Sequence, residues 1–261
     1  MQIHSMEHVN AVKATSYMLS SYFTSDTYAN GHSARAARLA AGLCADLASA
    51  IMQGHARNGF ALVRPPGHHA GLKQPMGFCL HNNAAVAALA AQAAGADRVL
   101  IVDWDVHHGN GTQEIFEGNR TIGGLGAEGY SVNIPWKCGG IGDNDYLFAF
   151  EQVVLPIALQ FAPDFTIISA GFDAAQGDPL GGCSVFEDEQ DATRYCDLLQ
   201  GGGEGCEGVA ELEASSVFDL CRKMRALAVL FRRGRTPPLP DNLKLNLKAR
   251  KRSLEDNEEL N

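Results

Sequence analysis

With 261 residues, 46% of them hydrophobic and 20% charged, the chain has the balance of a soluble globular protein and the length for one large α/β domain. A net charge of −9 argues against a protein whose main business is coating nucleic acid, and the longest apolar tract, Ala84 to Ala96, is broken by Gln92 and too short for a membrane helix. Seven cysteines, odd in number and nowhere spaced as CxxC, suggest neither a disulfide framework nor a cysteine zinc site; with no secretory signal visible, a reducing compartment fits best.

In chain order, Met1 to Ser16 is a polar, weakly helical stretch carrying His4 and His8, read as a helix and turn. Asn30-Gly31-His32-Ser33 punctuates the chain, and Ala34 to Gln53 follows as an alanine-rich amphipathic helix with Ser33 as N-cap and Gly54 as its stop. Phe60 to Val63 is a short buried strand. It runs into Arg64-Pro65-Pro66-Gly67-His68-His69-Ala70, where two prolines fix the backbone just ahead of adjacent histidines. Asn82 to Ala94 is the next helix, Val99 to Asp105 the central strand, and Thr112 to Phe116 the start of a helix. Tyr130 to Ile134 reads as a strand, Asn144 to Phe161 as a helix and Phe165 to Ala170 as a strand. Strands alternating with helices imply a doubly wound, mostly parallel sheet.

The stretch that organises the rest is Val99 to Gly111, an apolar, mostly β-branched run that empties into carboxylates, imidazoles and glycines. Such a run reads as a strand covered on both faces, and in open α/β sheets the chemistry collects beyond the carboxyl ends of such strands. Residues two apart in an extended segment project to one side, so Asp105 and His107 aim a carboxylate and an imidazole at a common point, with Asp103 on the same face. A strand-end Asp capping the following helix, with His107 merely packed, is the plainer alternative. All nine histidines fall within the first 108 residues, and His68-His69 and His107-His108 form adjacent pairs. The strand ending Ser169-Ala170-Gly171-Phe172-Asp173 leads into Gly177-Asp178-Pro179-Leu180-Gly181. Asp178 is either a turn residue, the commoner fate of an Asp before Pro, or a third ligand. One imidazole and two carboxylates from separate strand ends would make a catalytic zinc site with an open position, and His68 and His69 would be its acid and base, or else a structural pair bonded to backbone.

Four motifs resemble those of the zinc-dependent histone deacetylases, class II: Arg64 to Ala70, Gly77-Phe-Cys-Leu-His-Asn-Asn83, Asp103-Trp-Asp-Val-His-His-Gly-Asn-Gly-Thr-Gln113, and Ser169 to Asp173 with Gly177 to Gly181. The resemblance runs from about His4 to Val185. It implies the arginase/deacetylase sheet fold, incomplete here, and hydrolysis of acetyl-lysine amides. It further implies Asp105, His107 and Asp178 as zinc ligands and His68 and His69 as the catalytic dyad. Asp103 would orient His68, and Asn110 would hold His69. Gly77 and Phe78 match residues lining the lysine channel, although Phe78 also reads as plain core. Asp103, Asp105 and the backbone carbonyl of His107 match part of the family's site for a monovalent cation such as K+.

The departures matter as much. After the helix beginning Gly111-Thr112-Gln113, the family has a strand, further monovalent-cation ligands and a loop bearing a second channel aromatic. This chain passes from Glu117 through Ile122-Gly-Gly-Leu-Gly126 to Glu128-Gly-Tyr130 without them. The family's later strand ending Leu-Glu-Gly-Gly-Tyr, whose tyrosine hydroxyl bonds the developing oxyanion, is also missing: the six tyrosines are Tyr17, Tyr22, Tyr28, Tyr130, Tyr146 and Tyr195, and none follows Gly-Gly. Residues 1–185 therefore read as a partial catalytic domain and 186–261 as a divergent, largely disordered tail. In that tail Ala214 to Phe231 reads as a helix. Arg232-Arg233-Gly234-Arg235 and Lys248-Ala249-Arg250-Lys251-Arg252 are either a two-part nuclear localisation signal or solvated charge.

Two functional classes follow. One is a class II deacetylase acting on histone or other protein lysines, in the nucleus or cytoplasm, with corepressor complexes as partners and neither a membrane nor a direct nucleic-acid site; its activity is impaired by the missing tyrosine. The other is a catalytically weak variant that acts as an interaction or competitor protein. An acetylpolyamine-type amidohydrolase is a rival within the enzyme class.

Overall fold

The computed structural model describes residues 3–118, 130–137, 139–185 and the strand at 227–232. Helix α1 spans Met6–Ala14, started by Ser5, whose side chain accepts the His8 backbone N–H, and followed by a 3-10 turn at Thr15–Tyr17. A small hairpin of β1 (Ser21–Tyr22) and β2 (Tyr28–Ala29) leads to α2 (Ser33–Met52). Ser33 was the expected N-cap of α2; instead it is the first helical residue, and its hydroxyl accepts the Asn30 backbone N–H at 3.0 Å and donates to Asn30 Oδ1 at 3.3 Å. β3 (Asn58–Leu62) precedes α3 (Asn83–Ala93), which Asn82 caps by accepting the Ala85 N–H. β4 (Val99–Asp103) and α4 (Asn110–Gly118) follow, then α5 (Asp143–Ala149), a π-helical turn at Phe150–Val154, α6 (Leu155–Phe161) and β5 (Phe165–Ser169).

Between α4 and β5 one expectation fails and one is refined. Residues 130–134 form no strand: Tyr130 is 72% and Val132 52% exposed, so the segment lies extended along the surface with no ladder among the described residues. The helix over Asn144 to Phe161 is divided by the π-turn just ahead of Pro156, a residue that supplies no N–H and crowds the carbonyl one turn earlier.

The main sheet has the order β3-β6-β5-β4, where β6 is Leu227–Arg232. β4 and β5 are parallel; β6 is antiparallel to both β3 and β5. Three of the four strands therefore run one way and β6 runs against them. A helix was expected through Phe231; 227–231 is strand, and 214–226 lies outside the described residues. The run Leu-Ala-Val-Leu-Phe is too short to commit itself, and the slot between β3 and β5 offers unpaired backbone donors and acceptors along both sides. Val99 to Asp105 was expected to be the central strand; β4 ends at Asp103, lies at an edge of the described sheet and is only half-buried over Val99–Ile101. The strand covered on both faces is β5. Phe165 and Ile167 pack with Ala40, Cys44, Ala48 and Ala87 of α2 and α3, while Ile168 packs on the other side with Trp104, Tyr146, Phe150 and Phe172.

Candidate active site and metal centre

The carboxyl ends of β3, β4 and β5 lie at one edge of the sheet, and the chain beyond each turns into a loop that carries polar groups. β4 and β5 run in parallel register, with Asp103 opposite Ser169. Carrying that register forward puts Asp105 level with Gly171 and His107 level with Asp173. The carboxylates of Asp105 and Asp173 and an imidazole nitrogen of His107 lie within 4.8 Å of one another. His107 Nδ1 sits 2.5 Å from Asp173 Oδ2 and 3.2 Å from Asp105 Oδ1, so three donor atoms converge on one point. Gly171 makes room for this, since a Cβ there would collide with the Asp105 carboxylate.

Asp178, the expected third ligand, is not in this group. It lies past Gly177, in a turn where its Oδ1 accepts the N–H groups of Leu180 at 2.8 Å and Gly181 at 3.1 Å. Those two bonds are the kind an Asp before Pro makes in a turn. Asp173 takes the place in the cluster, and the signal that could have found it is the register: it falls in step with His107 on a neighbouring parallel strand.

Backbone donors hold the cluster. Val106 N–H donates to Asp173 Oδ1 at 3.1 Å, His107 N–H to Asp105 Oδ1 at 2.8 Å, and Asp105 N–H to Asp103 Oδ1 at 3.2 Å. Burial pushes the Asp173 carboxyl up to about 6, helped by the charge of Asp105 beside it. For Asp105, burial also opposes charge, but the hydrogen bond from His107 and the charge of His68 outweigh it and lower its pKa. The Asp105 hydrogen bond and the Asp173 charge raise His107 to about 9 against its partial burial, so a proton stands at Nδ1 where a cation would compete for it.

The imidazole pair is next to the cluster. His68 and His69 have ring centroids 3.9 Å apart, and His69 and His107 6.2 Å. His68 Nδ1 donates to Asp103 Oδ2 at 3.1 Å, and His69 Nδ1 donates to the Asn110 side-chain carbonyl at 2.6 Å. The two neighbours thus meet different partners, an anion and a neutral amide. Burial works against charge on His68, but Asp103 and then Asp105 outweigh it and raise its pKa to about 9. His69 moves the other way, lowered by burial and by the charge of His68. Gly77, in the left-handed region at φ +54°, presses on the His69 ring closely enough that a Cβ would clash with it. Phe78 follows at φ +64°, and at 47% exposed it stands at the surface beside the pair rather than in the core.

A second group of three histidines, His4, His8 and His81, is buried beneath α1. It was not anticipated. His4 has both ring nitrogens engaged, Nδ1 donating to Gly71 O at 2.7 Å and Nε2 accepting the Asn82 N–H at 3.0 Å, while His8 Nε2 donates to Leu80 O at 2.7 Å. These bonds make the group a fastener between α1 and the loop leading to α3.

A mixed sheet with an imidazole–dicarboxylate cluster and a differentiated histidine pair at its strand ends defines a site suited to metal-assisted hydrolysis. The crystal structure of the HDA15 HD domain matches with a TM-score of 0.74 and 58% identity, over 83% of this chain and 69% of that one, and has the arginase/deacetylase fold. The family model for the histone deacetylase domain matches residues 1–125 and 118–200. Histone deacetylase 15 of Arabidopsis thaliana is 66% identical over 229 residues, covering 79% of this chain and 41% of that protein. Polyamine deacetylase HDAC10 of Rattus norvegicus is 42% identical over 233 residues, 77% of this chain and 37% of that protein. The chain belongs to the histone deacetylase family, on its class II side. It spans about two fifths of the length of these curated relatives.

Proposed function

We propose that the chain is a catalytic portion of a zinc-dependent lysine deacetylase that hydrolyses acetyl-lysine amides in histones or other proteins, with slow turnover. The observation that carries this reading is the Asp105–His107–Asp173 donor set lying against a histidine pair whose Nδ1 atoms meet different partners, the Asp103 carboxylate and the Asn110 amide. One imidazole and two carboxylates fit Zn2+ of catalytic type, with a position left for water. Zinc bound there would polarise the acetyl carbonyl and acidify that water. His69, neutral and with its Nδ1–H given to Asn110, keeps Nε2 as the basic atom that takes the water proton. His68, held as a cation by Asp103, is the acid that supplies a proton to the departing lysine amine. Gly77 and Phe78 would line the channel for the lysine stem. K+ at Asp103, Asp105 and the His107 carbonyl belongs to the same reading.

Slow turnover follows from the sequence, which has no tyrosine after Gly-Gly, and from the polarity of β6. Ala228 pairs with Ser169, at the end of β5 nearest the site, and Arg232 with Phe165 at the far end, so β6 leads the chain away from the cluster. A missing oxyanion donor costs roughly 10²–10³ in kcat. Two further readings are favoured by particular observations. The similarity to a relative named as a polyamine deacetylase supports a small acetylated amine as substrate. The missing tyrosine supports a binding or competitor role, in which nuclear or cytoplasmic placement and corepressor partners would matter more than turnover. No helix among the described residues is long and apolar enough to cross a membrane.

The deciding experiment is zinc analysis of the purified chain, with a steady-state assay on acetyl-lysine peptides and acetylated polyamines beside a full-length class II enzyme. Expected are about one zinc per chain and peptide turnover at least about 10²-fold below the full-length enzyme, abolished by His69→Ala. Comparable turnover, or turnover indifferent to His69, would overturn the proposal.

A further inference from the structure

The β1–β2 hairpin carries exposed aromatics that neither the fold nor the proposed chemistry uses. Tyr22 and Tyr28 are directly opposed across the hairpin, 72% and 62% exposed, with ring centroids 6.0 Å apart and planes at 40°. The strand alternation explains their direction: Ala29 and Thr27 are buried and Phe23 packs inward against the Val12–Leu80 cluster, which leaves Tyr22 and Tyr28 on the outer face. Asp26 stands exposed in the connecting turn, its Oδ1 accepting the hydroxyls of Thr24 at 2.5 Å and Thr27 at 2.8 Å. The hairpin is also tied to the site. Thr27 Oγ1 accepts the Phe78 backbone N–H at 2.9 Å, so the residue next to Tyr28 touches the segment that flanks His69.

Two open aromatic rings on a hairpin whose turn carries an exposed carboxylate attract a cation, because each ring face is electron-rich and the carboxylate adds charge to the same hairpin. An extended peptide advances about 3.3–3.6 Å per residue. A side chain within three positions of a lysine held at Phe78 therefore reaches the hairpin. We propose that Tyr22 and Tyr28, with Asp26, form a subsite that takes a lysine or arginine side chain flanking the acetyl-lysine. The proposal rests on the acetyl-lysine reading above and names the class of peptide within it: acetylated basic tails.

The test is the affinity of the zinc-loaded full chain for matched acetyl-lysine peptides by fluorescence anisotropy, with Arg or Ser placed at each of the three positions on either side. At one or more positions Arg binds about two- to five-fold tighter than Ser. Tyr22→Ala and Tyr28→Ala erase that ratio, leave the Ser peptide unchanged, and are matched by Tyr→Phe variants that retain it. A preference for Arg that survives both alanine variants is general attraction to a chain of net charge −9 and overturns the subsite. Equal binding of Arg and Ser peptides overturns it while the acetyl-lysine reading stands. Failure of every acetylated peptide to bind removes both.

Discussion

His4, His8 and His81 show how single residues set conditions on the whole site. Their bonds tie α1 to Gly71, Leu80 and Asn82, on either side of the Gly77–Phe78 segment that presses on His69. Burial, reinforced by neighbouring imidazoles, pulls His4 down to about 3 and His81 to about 4, and His8 moves the same way. A histidine whose folded pKa lies below its unfolded value takes up protons on unfolding, so its stabilising effect is complete above about pH 6.5 and shrinks as pH falls toward 4. Between pH 7 and 5, urea unfolding should lose on the order of 1–2 kcal/mol for His4 and as much for His81. His4→Gln with His81→Asn should flatten that slope; an unchanged slope would show that acid sensitivity arises elsewhere. The ligand set makes a separate prediction. Asp105→Ala and Asp173→Ala should each strip zinc from the purified chain, while Asp178→Ala, which removes the acceptor of the Leu180 and Gly181 turn bonds, should keep it. Full zinc in the Asp173 variant would return the third ligand to another group. The convergence of Asp103, Asp105 and His107 was legible because two-residue spacing at a strand end aims side chains together, whereas His68 and His69 stood out as adjacent histidines after two prolines and Asn110 came from the resemblance alone. Asp173 and Asp178 lie in one short segment, and which of them stands level with His107 depends on the parallel register of β4 and β5, a long-range pairing that the order of residues does not display.

The elements were legible where a helix or a two-sided strand dictates its own pattern. α2 declares itself by an alanine-rich amphipathic pattern and α3 by an apolar run of helical length, and β5 by a short apolar run with alternate residues committed to opposite faces. Ile168→Ala should cost about 2–5 kcal/mol in chemical denaturation, because Ile168 is fully buried between Trp104, Phe150 and Phe172. β6 was illegible: a few apolar residues suit either periodicity, and a vacant slot in the sheet decided the outcome. Its backbone pairs on both sides, Val229 meeting Phe60 and Ile168. Val229→Pro removes an N–H from the middle of that ladder and should lower stability by at least about 1–3 kcal/mol. If the unfolding midpoint did not move, β6 would not be part of the cooperative unit.

On the scale of the molecule, β4 borders the described sheet with half-buried apolar residues along one open side. Such an edge templates pairing with another chain, so sedimentation velocity should reveal concentration-dependent self-association that Leu100→Lys diminishes. A monodisperse monomer across the range would mean that the edge is covered. The reversed strand at the centre has a different consequence. Hydrogen bonding along a ladder is satisfied by a neighbour of either polarity, so the gap between β3 and β5 acts as a lock that accepts its key from both ends. Polarity, however, decides which end of a strand meets the rim: a strand entering there can close the sheet and bury its partners, yet run from that rim toward the opposite shore. Closing a sheet and delivering a side chain to its rim are thus separable gifts of one strand, and polarity alone divides them.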